Sequence, residues 1–115
     1  MAQIQRFEVG PRMSQAVVHG DMVFLAGQVN KDVKDVTGQT RGILEQIDAL
    51  LAAAGSSKER IVSATIYLAD IKTFAQMNEA WEAWVPKGST PARTTVEAKL
   101  AAPDYVVEIT VTAVK

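Results

Sequence analysis

Two long side chains of opposite charge near the C-terminus, Arg93 and Glu108, are the residues of this chain best suited to chemistry. An arginine presents a planar fork that fits a carboxylate through two parallel hydrogen bonds. A glutamate a few ångströms away positions or deprotonates a water. Together they could hold a small carboxylic acid and send water to its neighbouring carbon. Val107, Ile109, Val111 and Ala113 alternate with Glu108, Thr110 and Thr112, while Arg93, Thr95 and Glu97 oppose Val96 and Ala98. Period-two alternation of this kind belongs to strands with one buried face. Read as a hairpin turning near Ala101-Ala102, the stretch 91–115 sets position 93 opposite about 110 and 95 opposite about 108. Arg93 and Glu108 then share a polar face as diagonal neighbours. A slip of one residue would drive Glu108 among the apolar side chains. The plain alternative is a cross-strand ion pair on a solvated face, worth about 0–1 kcal/mol, and pattern alone leans that way.

The preceding elements must position this pair. Ile4, Phe7 and Val9 mark a short first strand ended by Gly10-Pro11. Ala16 to Val18 and Met22 to Val29 flank Gly20-Asp21 and predict a β-hairpin. Gly27, inside the second run, predicts a bulge or a close backbone approach, with a ligand as one such neighbour. Ile43, Leu44, Ile47, Leu50 and Leu51 form one stripe of a helix that begins near Val36, is capped by Asp35 or Thr37 and stops at Gly55. A strand follows with Val62, Ala64, Ile66 and Leu68 on its buried face. Phe74, Met77, Trp81 and Trp84 then make a second helical stripe, read as core rather than cofactor site. The order is ββ(β)-α-β-α-ββ: an α+β domain over residues 1–115, with a mixed sheet and both helices on one face. The other face must be polar or be covered by another subunit.

Composition narrows the function classes. Twelve basic and thirteen acidic residues give a net charge of -1, which gives no support to nucleic acid or an anionic membrane as partner. The chain has no cysteine, hence no disulfide, thiolate metal site or cysteine nucleophile. Its one histidine, His19, cannot ligate a metal alone. No phosphate loop or metal-ligand cluster is found, so no cofactor is expected. No signal peptide or apolar run of about 20 residues is seen, and a cytoplasmic location is expected.

A set of short motifs in order adds a family. These are P-R-M-S-Q-A-V at 11–17, V-F-L-A-G-Q-V at 23–29, Q-T-R at 39–41, I-D-A-L-L-A-A-A-G at 47–55, T-I-Y-L-A-D at 65–70, F-A-Q-M-N-E-A-W at 74–81, P-A-R at 91–93 and V-E-I at 107–109. Over nearly its whole length the chain resembles the YjgF-like, or Rid (reactive-intermediate deaminase), family, and a less-studied branch of it. The resemblance implies a chorismate-mutase-like α+β fold, assembled as a homotrimeric barrel with ligand clefts between subunits. It implies hydrolysis of 2-imino acids, such as 2-iminobutanoate and 2-iminopropanoate, to 2-oxo acids and ammonia. Arg93 would clamp the substrate carboxylate and Glu108 would direct the attacking water. Backbone near Gly27 and Thr94-Thr95 would orient the substrate, with Asn78 near the site. Met13, Thr95 and Ala26 stand where archetypal members have tyrosine, often cysteine, and often serine, which changes the pocket's shape and polarity. The alternative is a trimeric binding protein without turnover, holding a 2-oxo acid or amino acid on Arg93.

Overall fold

The computed structural model describes residues 3–115. Its strands are β1 (Ile4–Val9), β2 (Ser14–His19), β3 (Met22–Leu25), β4 (Ile61–Leu68), β5 (Ala92–Glu97) and β6 (Val107–Val114). Its helices are α1 (Val36–Ala53) and α2 (Phe74–Trp84). The strands form a single six-stranded sheet in the order β1-β2-β3-β6-β4-β5. Pairing is antiparallel except between β4 and β5, which run parallel. Among the described residues no helix is long and apolar enough to cross a membrane.

The expected α+β architecture is present, with one correction that matters for the site. β5 and β6 do not form a hairpin. β6 lies between β3 and β4, and β4 separates it from β5. The physical reason is the connection β4-α2-β5. A helix between two strands is long enough to return the chain to the same end of the sheet, so the second strand joins in parallel. The segment between β5 and β6 is no tight turn. Gln39, fully buried on α1, ties it down: its Nε2 donates to the Asp104 carbonyl at 2.8 Å, and its Oε1 accepts from Val106 N at 3.0 Å.

Both helices pack on one sheet face. Ile43, Leu44, Ile47, Leu50 and Leu51 of α1, with Met77 and Trp81 of α2, meet Val23, Ala64, Ile66, Leu68, Val107, Ile109 and Val111 in one core. Asp35 caps α1, its Oδ2 accepting from Gly38 N at 2.8 Å. Two stripe positions differ from expectation. Val62 is 46% exposed because the β4–β6 register shifts between Ile61 and Ser63, and Ile61 takes the buried place. Phe74 is 40% exposed at the start of α2, for a reason given by its neighbour Arg93.

Candidate functional site

Strand register decides which residues can meet. Directly paired residues project from the same sheet face, and successive residues alternate. Arg93 pairs with Ala64, which pairs with Val111, and both partners are buried under the helices. Arg93 therefore lies on the helix-covered face, at the edge strand. Glu108 pairs with Tyr67 and sits between the buried residues Val107 and Ile109. It therefore projects from the opposite, uncovered face. The shared polar face expected for Arg93 and Glu108 is not observed, because the hairpin that placed them there does not form. Val96 is the apolar residue displaced by the same correction, on the uncovered face and 38% exposed.

The Arg93 half is built on α2. Phe74, Asn78 and Trp81 are spaced i, i+4 and i+7, so they share one helix face. Arg93 Nη1 donates to Asn78 Oδ1 at 2.8 Å. The guanidinium carbon lies 5.4 Å from the Trp81 ring centroid and 5.7 Å from that of Phe74. Such contacts attract a cation electrostatically, by about 0.5–2 kcal/mol each depending on solvation. Phe74 is thus half-exposed because its ring braces a half-buried cation. No carboxylate neutralises that cation: the one ion pair among the described residues is Arg41–Glu79, at 4.0 Å. Thr95 projects from the same face as Arg93, and its Oγ1 is buried without a hydrogen-bond partner. Thr94 points the other way, in a row with Thr65 and Thr110 on the uncovered face.

The Glu108 half is built on a bulge. β3 pairs with β6 in the register Phe24↔Thr112, but beyond it Gln28 pairs with Ile109, one residue out of step. Gln28 and Ile109 exchange backbone hydrogen bonds of 2.8 and 3.1 Å. The extra residue brings Gly27 against the glutamate. A Cβ at Gly27 would strike the carboxyl oxygen Oε2 of Glu108 and lie 2.9 Å from its Cδ, so only glycine leaves the carboxyl where it is. This is the close approach expected at Gly27.

A relay of side-chain amides, not anticipated from the pattern, holds the bulge. Gln28 is 5% exposed; its Nε2 donates to the Ala26 carbonyl at 3.1 Å and to Gln15 Oε1 at 2.8 Å. Gln46 Nε2 donates to Gln28 Oε1 at 3.1 Å and to the Val29 carbonyl at 3.2 Å. Asn30 Nδ2 donates to Gln46 Oε1 at 2.7 Å. Only Gln28 and Asn30 are near one another in the sequence; Gln15 and Gln46 lie on other elements, so no local pattern signalled the relay. Met13 and Gly27 line a hollow of about 420 Å³ beside this relay. Of the expected site residues, Gly27 lies against Glu108 with Ala26 beside it in the chain, Met13 lines the hollow on the α1 side of the bulge, and Asn78 and Thr95 lie in the Arg93 region. Thr94 is on β5 with its side chain on the uncovered face. Among the described residues, no group of His, Asp or Glu is arranged to hold a metal.

Comparison with known proteins places this geometry. The family model described as Endoribonuclease L-PSP matches residues 3–115. The chain belongs to that family, which includes the YjgF and Rid proteins. It is similar to a RutC family protein of Haemophilus influenzae, 45% identical over 112 residues that cover 96% of this chain and 97% of the relative. A crystal structure of a YjgF-family member from Neisseria meningitidis superposes with a TM-score of 0.97 at 46% identity, covering 98% of this chain and 95% of that one. A YjgF-family structure from Mycobacterium tuberculosis gives 0.90 at 29% identity, covering 98% of this chain and 100% of that one. The mixed sheet with two helices is thus the YjgF fold.

Proposed function

We propose that this YjgF-family chain hydrolyses reactive 2-imino and enamine acids to 2-oxo acids and ammonia, at a site completed between copies of the chain in a homotrimer. The supporting observation is a pair of complementary, unneutralised charges. Arg93 is braced by two rings and one neutral amide with no carboxylate partner. Glu108, half-buried against Gly27, has no cation partner among the described residues. One chain cannot join them, because its own sheet lies between. A second copy can, by setting its helix-covered edge against the first copy's uncovered face. Covering that face would also bury Phe24, which is 44% exposed there.

The chemistry follows from the two groups. Arg93 holds the substrate carboxylate with the donors that Asn78 leaves free. Glu108 takes a proton from a water as its oxygen bonds to the C=N carbon. The imine nitrogen receives the proton that Glu108 took from water; the carbinolamine hydroxyl then gives up its proton, which ends on the departing nitrogen, as the C–N bond breaks and ammonia leaves behind a C=O. An imine carbon is already electrophilic, so orientation and one general base supply the needed acceleration. Proposed orienting groups are the Gly27 backbone, Thr94, Thr95 and the residues Met13 and Ala26 flanking the bulge.

The assay generates 2-imino acids in place with an amino-acid oxidase and follows their loss. The wild-type protein is expected to accelerate it, and Arg93→Ala and Glu108→Gln to abolish the acceleration. No acceleration across short aliphatic and aromatic imines would sink the enzyme reading. A second reading, carboxylate binding without turnover, draws on Met13: a thioether cannot exchange a proton with the substrate. Binding of a 2-oxo acid by the wild type but not by Arg93→Ala, with no imine hydrolysis, would favour it. The ribonuclease in the family's description fits less well, since a net charge of -1 offers no bulk attraction to phosphate.

A further inference from the structure

We propose that Tyr67, which stands directly beside Glu108 on the uncovered face, is the second anchor of the attacking water and the relay for its second proton. This rests on the hydrolytic reading above and adds a catalytic residue to it.

Strand register supplies the placement. Tyr67 pairs with Glu108, so the two side chains project from the same face. Ile109 spends its N–H and C=O on Gln28, on the β3 side of β6. Backbone groups of successive strand residues point to opposite neighbours, so those of Glu108 turn to β4. Its pair with Tyr67 is therefore of the hydrogen-bonded kind, with Cα atoms about 5.5 Å apart. The same register continues to Ala69, whose N–H donates to the Val106 carbonyl at 3.1 Å. The Glu108 carboxyl lies against Gly27, on the β3 side. Tyr67 flanks it on the β4 side, half-buried like the glutamate. The other hydroxyls of this face are worse placed. Thr110 donates from Oγ1 to the Leu25 carbonyl at 3.0 Å, and Thr65 pairs with Thr110 rather than with Glu108.

The chemistry of water calls for such a group. Glu108 accepts one hydrogen of the water and leaves the molecule free to swing about that bond. A second acceptor on the other flank fixes both hydrogens and turns a lone pair toward the C=N carbon. Two hydrogen bonds of about 2.7 Å at the angle of a water span about 4.5 Å, which suits side chains rising from paired residues of neighbouring strands. A phenol oxygen accepts one such bond and keeps its own O–H to donate.

The same phenol serves the second proton. Once Glu108 has moved the first water proton to the imine nitrogen, the other sits on the carbinolamine hydroxyl, still facing Tyr67. Direct passage to the amine on the same carbon would need a four-membered ring. The phenol oxygen instead takes the hydroxyl proton, and the phenol gives its own proton to the amine. The O–H electron pair becomes the second bond of the C=O, the C–N pair leaves on ammonia, and the phenol ends as it began.

Tyr67→Phe keeps the ring and deletes only the hydroxyl. The test compares it with the wild-type protein in hydrolysis of 2-imino acids formed in place by an amino-acid oxidase, in titration with a 2-oxo acid and in thermal melting. The expected result is a fall in kcat of about 10²-fold, with KM, 2-oxo acid affinity and melting temperature unchanged. Wild-type kcat in the variant, a loss confined to KM or ligand affinity, or a melting temperature that falls together with kcat would overturn the role of Tyr67 and leave the hydrolytic reading standing. No acceleration by the wild-type protein itself would overturn both.

Discussion

The Arg93 region and the Glu108 region are built by different means. Arg93 stands on the edge strand β5 and takes its geometry from side chains: the two rings and the amide of α2. Glu108 stands in the interior of the sheet and takes its geometry from backbone: a bulge that sets Gly27 against its carboxyl, clamped by Gln28 and Gln46. The first half fixes a cation and leaves its remaining donors open. The second fixes an acceptor against Gly27 on the uncovered face. The difference teaches that the cation and the carboxylate are held by separate devices, on opposite faces of one sheet; in the proposed reaction the first binds and the second directs water.

The largest effect is expected on the Glu108 side. Glu108→Gln should lower kcat by about 10²–10⁴-fold with a small change in KM, read from steady-state imine hydrolysis. Gly27→Ala should lose a comparable share of kcat while melting near the wild-type temperature, since a flexible carboxyl side chain, not the core, must move aside. A melting temperature that collapses with the activity would mean the bulge holds the fold together and does not merely aim Glu108.

Arg93→Lys keeps the charge and loses the fork. On the binding side of the comparison it should raise KM and reduce kcat/KM by about 10–100-fold, equivalent to about 1.4–2.8 kcal/mol. A kcat loss with KM intact would blur the division of labour. Asn78→Ala removes one acceptor from the guanidinium and should cost about 1 kcal/mol of carboxylate affinity, measured by titration with a 2-oxo acid. Smallest is Thr95→Val, which replaces a buried hydroxyl without a partner by an isosteric methyl. Thermal stability should hold or rise, by about 1 kcal/mol at most. A loss of ligand affinity in that variant would show that substrate is the missing partner.

Much of this was legible in the sequence, and the part that was not has a definite cause. Alternation in 107–113 placed Glu108 and Ile109 on opposite faces correctly, and Gly27 was readable as a bulge or close contact. The stripes of α1 and α2 were legible because 3.6-residue periodicity survives any topology. Alternation does not say which strand is the neighbour, however. Sequence proximity of β5 and β6 suggested a hairpin, whereas β4-α2-β5 already carried the signature of a parallel crossover that makes β4 the neighbour of β5. That one adjacency moved Arg93 to the other face. The amide relay was illegible for another reason: Gln15 and Gln46 are far in the chain from Gln28 and Asn30, and the four converge only when the bulge forms.

The central claim is that a working site needs Arg93 from one copy and Glu108 from another, and complementation tests it directly. Arg93→Ala and Glu108→Gln variants, each inactive alone, are unfolded together in equal amounts and refolded. Random reassembly into closed rings gives about a quarter of the interfaces both native residues, so about a quarter of wild-type imine hydrolysis is expected to return. Recovery no greater than either variant alone, or a monomeric mass for the active wild-type protein, would contradict the account.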